Sequence, residues 1–162
     1  MTEFAIRAPR TDEVEVLADL HLRTWKETYG GAFPASAWGQ AAREQRLRMW
    51  DAICNRPRPA DRFAVAERDG ELIGIAGSGA SMDDAPVREK HLFFIYLLAA
   101  EQGSGAGQAL LDTVVSSEPA SLWVLEGNAR AIAFYERNGF VFDGARQPTG
   151  FETGGEELRM VR

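Results

Sequence analysis

The sequence predicts an α/β (α+β) fold with about seven strands and about four helices. Segments with strand patterns and segments with helical spacing follow one another as strand, helix, helix, three strands, helix, strand, helix and two strands. The chain has 162 residues, of which 45% are hydrophobic and 10% aromatic, which is enough for one continuous core. We therefore expect a single domain over residues 1–162.

The first part of the chain predicts one strand and two helices. Phe4 to Arg7 alternates apolar and polar residues, as a short strand does. A helix then begins at residue 11 or 12, where Thr or Asp can cap it, and ends at Gly30-Gly31. A second helix with an apolar face runs from about Ser36 to Ile53.

The middle of the chain predicts a hairpin and a buried central strand. Phe63 to Glu67 and Leu72 to Ala76 are strands, and Asp69-Gly70 between them supplies the positive φ values of a tight turn. His91 to Ala100 is the most apolar run in the chain. Its length and its lack of a polar stripe are typical of a strand buried on both faces.

The last part of the chain predicts a glycine loop followed by two helices and three strands. Asn128 caps the second of these helices, which stops at Asn138-Gly139. The remaining segments are a helix up to Ser116-Ser117, strands at Leu122 to Leu125, Phe140 to Phe142 and Leu158 to Val161, and a glycine-rich loop from Gly150 to Gly155.

Charge and composition narrow the classes of partner. The formal net charge of −6 and the pI near 5.0 argue against a general nucleic-acid or anionic-membrane surface and favour a cationic or neutral small partner. The first residues contain no apolar run of signal-peptide length, and no stretch approaches membrane-spanning length, so we expect a soluble, cytoplasmic protein. One cysteine and two histidines make no disulfide framework and no metal-ligand pattern, so we expect no metal.

The glycine loop Gln102-Gly103-Ser104-Gly105-Ala106-Gly107 lies between the most buried strand and its helix. Glycines there let a diphosphate approach the backbone, and a helix N-terminus offers unpaired N–H donors. The dinucleotide fingerprint fails, because Gln108 or Leu110 stands where it needs Gly or Ala. A P-loop fails because no lysine lies nearby. The loop itself therefore predicts only a phosphate site of another kind.

Two segments together resemble the GNAT superfamily of acetyl-coenzyme A-dependent N-acetyltransferases, in its bacterial small-molecule branch. The first segment is Gln-x-x-Gly-x-Gly at 102–107, with the strand from Ile95 that leads into it. The second runs from Leu122 to Phe140 and contains Asn128-Ala-Arg-Ala-Ile-Ala-Phe-Tyr135. The resemblance covers nearly the whole chain in element order. It implies a mixed, mostly antiparallel central sheet.

The resemblance assigns the cofactor-binding residues and identifies acetyl-CoA as the co-substrate. It implies that backbone N–H groups of the loop hold the pyrophosphate and that main-chain groups of the central strand bind the pantetheine arm and polarise the thioester carbonyl. Asn128 caps its helix and also contacts the coenzyme, and Phe134 packs beside it. The cofactor-binding set is Leu97, Leu98, Gln102, Gly103, Ser104, Gly105, Ala106, Gly107, Asn128 and Phe134.

The resemblance also implies direct attack by an amine on the thioester, with no acyl-enzyme. Tyr135, seven residues after Asn128, matches the tyrosine that protonates the departing thiolate; its alternative role is a local hydrogen bond. The acid that some members carry five positions before Asn128 is Trp123 here. His91 falls where others place a glutamate or histidine and is the candidate base; its alternative is a strand-end side chain facing solvent.

The acceptor is expected to lie against the first two helices and their loop. Trp25, Glu27, Tyr29 and Phe33 supply aromatic rings and a carboxylate suited to an amine, and Trp123 is placed with them. Three alternatives remain open: a longer-chain acyltransferase, a protein N-terminal acetyltransferase and a noncatalytic acyl-CoA sensor. Members of the family often pair through their C-terminal strands, so the resemblance also makes a homodimer an expectation.

Overall fold

The computed structural model describes residues 3–150 and 154–162. Within these residues, seven strands form one mixed sheet, and four α-helices pack on its two faces. Residues 151–153 of the expected glycine-rich loop lie outside the described residues. The strands are β1 (Ala5–Arg7), β2 (Arg62–Arg68), β3 (Glu71–Ala80), β4 (Lys90–Leu97), β5 (Ser121–Leu125), β6 (Val141–Pro148) and β7 (Glu156–Val161). The helices are α1 (Val14–Tyr29), α2 (Gln40–Asn55), α3 (Ala106–Val114) and α4 (Ala129–Arg137).

The sheet order is β1-β2-β3-β4-β5-β7-β6, and every neighbouring pair of the described strands is antiparallel except β4 with β5. This confirms the expected mixed, mostly antiparallel sheet. The parallel pair follows from the connection through α3, which returns the chain to the same end of the sheet.

Each face of the sheet is covered by one pair of helices. On the first face, which we call the α1/α2 face, Leu17 and Trp50 pack on Val65 and Ile75. On the second, the α3/α4 face, α3 packs on small and branched strand residues. The buried residues of this second core include Leu110, Leu111, Val114, Ala64, Ala76, Leu92, Leu122 and Met160. None of the helices in the described ranges is both long and apolar enough to cross a membrane.

The end of β4 differs from the sequence prediction. The strand stops at Leu97, and residues Ala99–Glu101 form a short 3-10 turn, so the apolar run to Ala100 is not all strand. The carboxylate of Glu27 on α1 accepts the N–H of Ala99 at 2.8 Å and holds this turn. An apolar run alone does not distinguish a strand from a turn capped by a residue 72 positions away.

Strand β3 is longer than its sequence pattern indicated, because it runs to Ala80 instead of Ala76. Its glycines leave space for neighbouring side chains. A Cβ at Gly77 would lie 2.4 Å from Phe63 Cε1, and one at Gly79 would lie 2.2 Å from Asp61 Oδ1. The glycines that weaken the local strand signal are therefore required by packing on the α1/α2 face.

Candidate active site

The loop between β4 and α3 forms a cradle of free backbone donors. Gly103 and Gly105 have φ values of +84° and +91°, which favour glycine, and Gly105 caps α3. The N–H groups of Gly103, Gly105, Gly107 and Gln108 find no acceptor within residues 3–150 and 154–162, and all four residues line a large cavity. Unpaired donors at a helix N-terminus are suited to an anion.

Strands β4 and β5 separate soon after they meet. They pair only at His91 with Ser121 and at Leu92 with Leu122 among the described residues. Directly afterwards, Gly77 pairs with Phe94 and Ser78 with Leu92, so Phe93 is the extra residue of a β-bulge in β4. A gap therefore opens between β4 and β5.

Main-chain groups of β4 face this gap. The N–H of Leu98 donates to Ile73 O at 3.0 Å, on the β3 side. Because backbone groups of an antiparallel pair alternate in direction, the N–H groups of Leu97 and Ile95 point the other way, toward β5. The gap thus contains N–H donors that no strand pairs with, and these could polarise a carbonyl placed between the strands.

One cavity of about 1320 Å³ connects the cradle, the gap and a pocket on the α1/α2 face. The part near the cradle is lined by Gly103, Gly107 and Phe134, and the part on the α1/α2 face by Tyr29 and Phe93, among others. Such a passage through the sheet lets two ligands meet at the gap from opposite faces.

Three tyrosines, Tyr29, Tyr96 and Tyr135, line the cavity, and burial raises the pKa of each. Burial, and secondarily the nearby Tyr29, raises the pKa of Tyr135 well above its usual value, and its hydroxyl has no hydrogen-bond partner among the described residues. Burial likewise raises the pKa of Tyr29, whose hydroxyl accepts a hydrogen bond from Asn128 Nδ2 at 3.3 Å. The phenols of Tyr135 and Tyr29 can therefore donate a proton or a hydrogen bond at neutral pH.

His91 lies at the closed end of the gap. It is buried rather than facing solvent, and its Nδ1 lies 2.9 Å from Ser121 Oγ. Burial lowers the pKa of His91, so the imidazole is neutral at physiological pH. Beside it, Trp123 Nε1 donates to Asp83 Oδ1 at 3.0 Å, and the Arg159 guanidinium lies 5.5 Å above the indole ring.

Comparison with known proteins decides the family. The sequence model of the Acetyltransferase (GNAT) family matches residues 18–140, which is most of the chain. The chain belongs to this family. The GNAT domain shares 24% identity with YuaI, an uncharacterized N-acetyltransferase of Bacillus subtilis, over 137 residues that cover 81% of this chain and 76% of YuaI. The protein is accordingly an acyltransferase of the N-acetyltransferase type.

Solved structures share the GNAT fold along nearly the whole chain. The PaiA N-acetyltransferase of Thermoplasma acidophilum, solved in complex with coenzyme A, has a TM-score of 0.73 and 20% identity, with 99% of this chain and 98% of that chain covered. YncA of Salmonella typhimurium, solved with its cofactor acetyl-CoA, has a TM-score of 0.73 and 17% identity, with coverage of 99% and 94%.

Most residues predicted for the GNAT site line the same cavity. Those that line it are Trp25, Tyr29, Phe33, His91, Leu97, Gln102, Gly103, Gly105, Gly107, Trp123, Asn128, Phe134 and Tyr135. Asn128 also accepts the N–H of Ala131 at 3.4 Å, which is the expected cap of α4. The cradle, the gap and the aromatic wall of α1 are thus brought together.

Four predicted residues do not line the cavity, and each has another contact or position. Glu27 binds Ala99 N–H and pairs with Arg23. Leu98 uses its N–H within the sheet, as described above. The Ser104 hydroxyl accepts the N–H of Ala106 at 3.3 Å, and Ala106, the first residue of α3, is fully buried. These residues shape the site without facing it.

Four residues of the site were missed by the sequence analysis. Gln108 adds its N–H to the cradle and directly follows the predicted loop. Ile95 places its N–H in the gap, and strand alternation from Leu97 could have found it. Glu157 and Asp61 are carboxylates in the cavity wall. They come from strand β7 and from the turn before β2, and no local signal connects either of them with the glycine loop.

Proposed function

We propose that this protein transfers the acetyl group of acetyl-CoA to a primary amine of a small molecule, by direct attack while both substrates are bound. The observation that carries the proposal is the continuous cavity, which leads from the anion cradle through the gap to the α1/α2 face. Its walls on the two sides differ. The cradle side has free N–H donors, and the other side has aromatic rings and carboxylates.

The residues present fit a coenzyme A thioester. The free N–H groups of Gly103, Gly105, Gly107 and Gln108 suit a pyrophosphate, because they lie in one loop and in the first turn of α3 and all four residues line the cavity. The unpaired edge of β4 at Ile95 and Leu97 suits an amide-containing arm that takes the place of a strand. The bound thioester supplies an activated acyl group, and the same β4 donors stabilise the oxyanion formed on attack.

Tyr135 is proposed as the proton donor to the departing thiolate. It lines the cavity from the α3/α4 face, and its raised pKa keeps the proton available at neutral pH. Its hydroxyl has no competing partner in the described part of the chain. A phenol in this state can donate as the thiolate forms.

Glu157 is proposed as the proton acceptor for the amine. It pairs with Leu125 in the β5–β7 ladder, four residues beyond Ser121, so it lies about 13 Å along the sheet from the closed end of the gap. Gln147 Nε2 donates to its carboxylate at 2.8 Å, and Glu157 also raises the pKa of Tyr29. Glu157 therefore places a carboxylate at the level of the β4 donors. It would take the role of the acid that some family members carry at the position of Trp123.

His91 is less suited to that step. Along β3, its partner Gly79 is three residues from the partner of Ile95 and five from the partner of Leu97, or about 10 and 17 Å. Its Nδ1 is also engaged with Ser121. We therefore assign His91 to the wall of the acceptor pocket.

A thiol-release screen tests the proposed function. Acetyl-CoA is offered with amino acids, diamines, aminoglycosides and peptides, and thiol is measured with and without each amine. At least one small primary amine should drive release by the wild type, and Tyr135→Phe should slow it. Binding of coenzyme A without turnover of any amine would contradict the proposal and favour an acyl-CoA sensor.

A further inference from the structure

Asp61 lies at the far end of the acceptor pocket, away from the cradle. It precedes β2, and its carboxylate rests on Gly79 of β3, where a Cβ would come within 2.2 Å of Oδ1. Its side chain is only 8% exposed, yet the residue lines the cavity. The fold therefore buries a carboxylate and leaves it facing the pocket.

One oxygen of this carboxylate lacks a donor. Arg58 Nε donates to Oδ2 at 2.9 Å, and the Arg58 side chain, which also lines the cavity, is 63% exposed. No group of residues 3–150 or 154–162 donates to Oδ1. Because Asp61 lines the cavity, an N–H donor of a bound ligand can reach Oδ1 and form a charge-assisted hydrogen bond with it.

The surroundings of Oδ1 favour a cationic group. Phe93 Cζ would lie 2.8 Å from the same Gly79 Cβ position, so its ring adjoins the carboxylate, and Phe63 lies 6.3 Å from Phe93 between ring centroids. Aromatic rings beside a carboxylate are a common environment for an ammonium group.

Arg58 balances one oxygen of Asp61, and the other charged groups of this end have partners or lie exposed. Asp83 accepts from Trp123 and lies 3.6 Å from Arg159, and Asp84 is exposed on its loop. Arg56 is exposed and pairs with Asp51. Asp83 Oδ2 is also buried without a hydrogen-bond donor among the described residues, but the Arg159 guanidinium lies 3.6 Å from it. Asp61 Oδ1 has neither a donor nor a second cation in the described part of the chain, so it is the oxygen that we assign to a ligand.

We propose that Asp61 binds a second positive charge on the acceptor, so that the preferred substrate is an elongated molecule with a cationic group at each end. The inference rests on the proposed function and names the class of its acceptor. From Gly79, the partners of Ile95 and Leu97 are about 10 and 17 Å away along β3, and the gap lies more than one strand to the side. The two charges are therefore separated by at least about 10 Å.

Matched acceptors test this subsite directly. We would compare diaminoalkanes, from diaminopropane to diaminodecane, with monoaminoalkanes of the same length. The wild type should prefer the longer diamines in kcat/KM by about 10- to 100-fold, beyond the factor of about two for two equivalent amines. Asp61→Asn, which keeps the shape, should lower kcat/KM for the diamines much more than for the monoamines and so remove this preference.

Two further variants distinguish a direct contact with Asp61 Oδ1 from a general effect of negative charge in the cavity. Gly79→Ala keeps the Asp61 charge but forces the carboxylate to move, so it should reduce the preference as well. Asp84→Asn removes a charge from the same cavity without touching Oδ1, so the preference should persist. The contact would be refuted if Asp84→Asn lost the diamine preference to the same extent as Asp61→Asn. It would also be refuted if Asp61→Asn lowered kcat/KM equally for diamines and monoamines.

A binding measurement tests the subsite without requiring acetyl transfer. Diaminodecane and aminodecane would each be titrated calorimetrically into the protein saturated with coenzyme A. Tighter binding of the diamine by the wild type, lost in Asp61→Asn, supports the subsite even if no acetyl transfer is seen, in which case the proposed function fails. Equal binding of both amines by the wild type would refute the subsite.

Discussion

Replacing His21 by asparagine tests a buried group whose protonation opposes folding in acid. His21 on α1 is 6% exposed, and its Nδ1 accepts a hydrogen bond from Trp50 Nε1 at 3.2 Å. Burial, with a smaller effect of Arg46, lowers the pKa of His21 from 6.5 to about 3. The imidazole must therefore stay neutral in the folded protein, because the Trp50 bond needs an unprotonated Nδ1.

The sign and size of the effect follow from the two pKa values. The folded pKa is the lower one, so the stability from neutral His21 is fully present above pH 6.5 and is lost as the pH falls toward 3. At pH 5 the unfolded chain binds this proton and the folded chain does not. The loss relative to pH 8 is then about 2 kcal/mol.

Urea unfolding of the wild type and His21→Asn, followed by tryptophan fluorescence, measures this loss. Asparagine offers an oxygen to Trp50 and does not titrate, so His21→Asn lacks the acid-dependent part. The wild type should be the more stable protein at pH 8, and its advantage should shrink by about 2 kcal/mol at pH 5. Burial also lowers the pKa of His91, but His91 is present in both proteins, so its contribution cancels in the difference between them. An unchanged difference between the two pH values would refute the reasoning.

Three other substitutions test the site. Gly105→Ala should weaken coenzyme A binding about 10-fold in calorimetry, because a side chain at φ +91° is strained by about 1–2 kcal/mol, and the free loop can relieve this strain by leaving the conformation that binding requires. Gly31→Ala, with open space and no positive φ, should not weaken it. Tyr135→Phe should lower kcat by about 100-fold or more with coenzyme A affinity unchanged; a kcat within about twofold of the wild type would exclude the acid role. Glu157→Gln should lower kcat/KM at pH 7 and recover as the pH rises and deprotonates the amine. A pH-independent deficit would instead indicate a positioning role.

Local chemistry made much of the fold predictable. The Asp69-Gly70 turn has the expected positive φ values of 52° and 83°, and Asn128 caps α4 as its position indicated. The order of strands and helices was also correct, because each element has its own periodicity. The cradle follows from a contiguous loop, so its donors could be assigned before any tertiary contact was known.

Non-local packing explains what the sequence did not predict. Strand β6 continues to Pro148 through polar residues because it is an edge strand with an irregular register after Phe142. The second hairpin strand was predicted to end at Ala76, but it continues through Gly77 and Gly79, where Phe63 and Asp61 occupy the space that a side chain would need. Glu27 was expected to face the acceptor but holds the turn after β4. Each of these depends on a residue brought close by the sheet.

The gap between β4 and β5 also divides the sheet into two groups of strands, or panels, which are joined at the closed end of the gap. Strands β1–β4 form one panel and β5, β7 and β6 the other, and the two share only the pairs at His91 and Leu92 in the described ladder. A ligand seated in the gap would act as a missing strand and fasten the panels together. At 100 times its dissociation constant, such a ligand adds about 2.7 kcal/mol to the free energy of unfolding. The resistance of the protein to proteolysis in a cell would then rise and fall with the supply of acyl-coenzyme A.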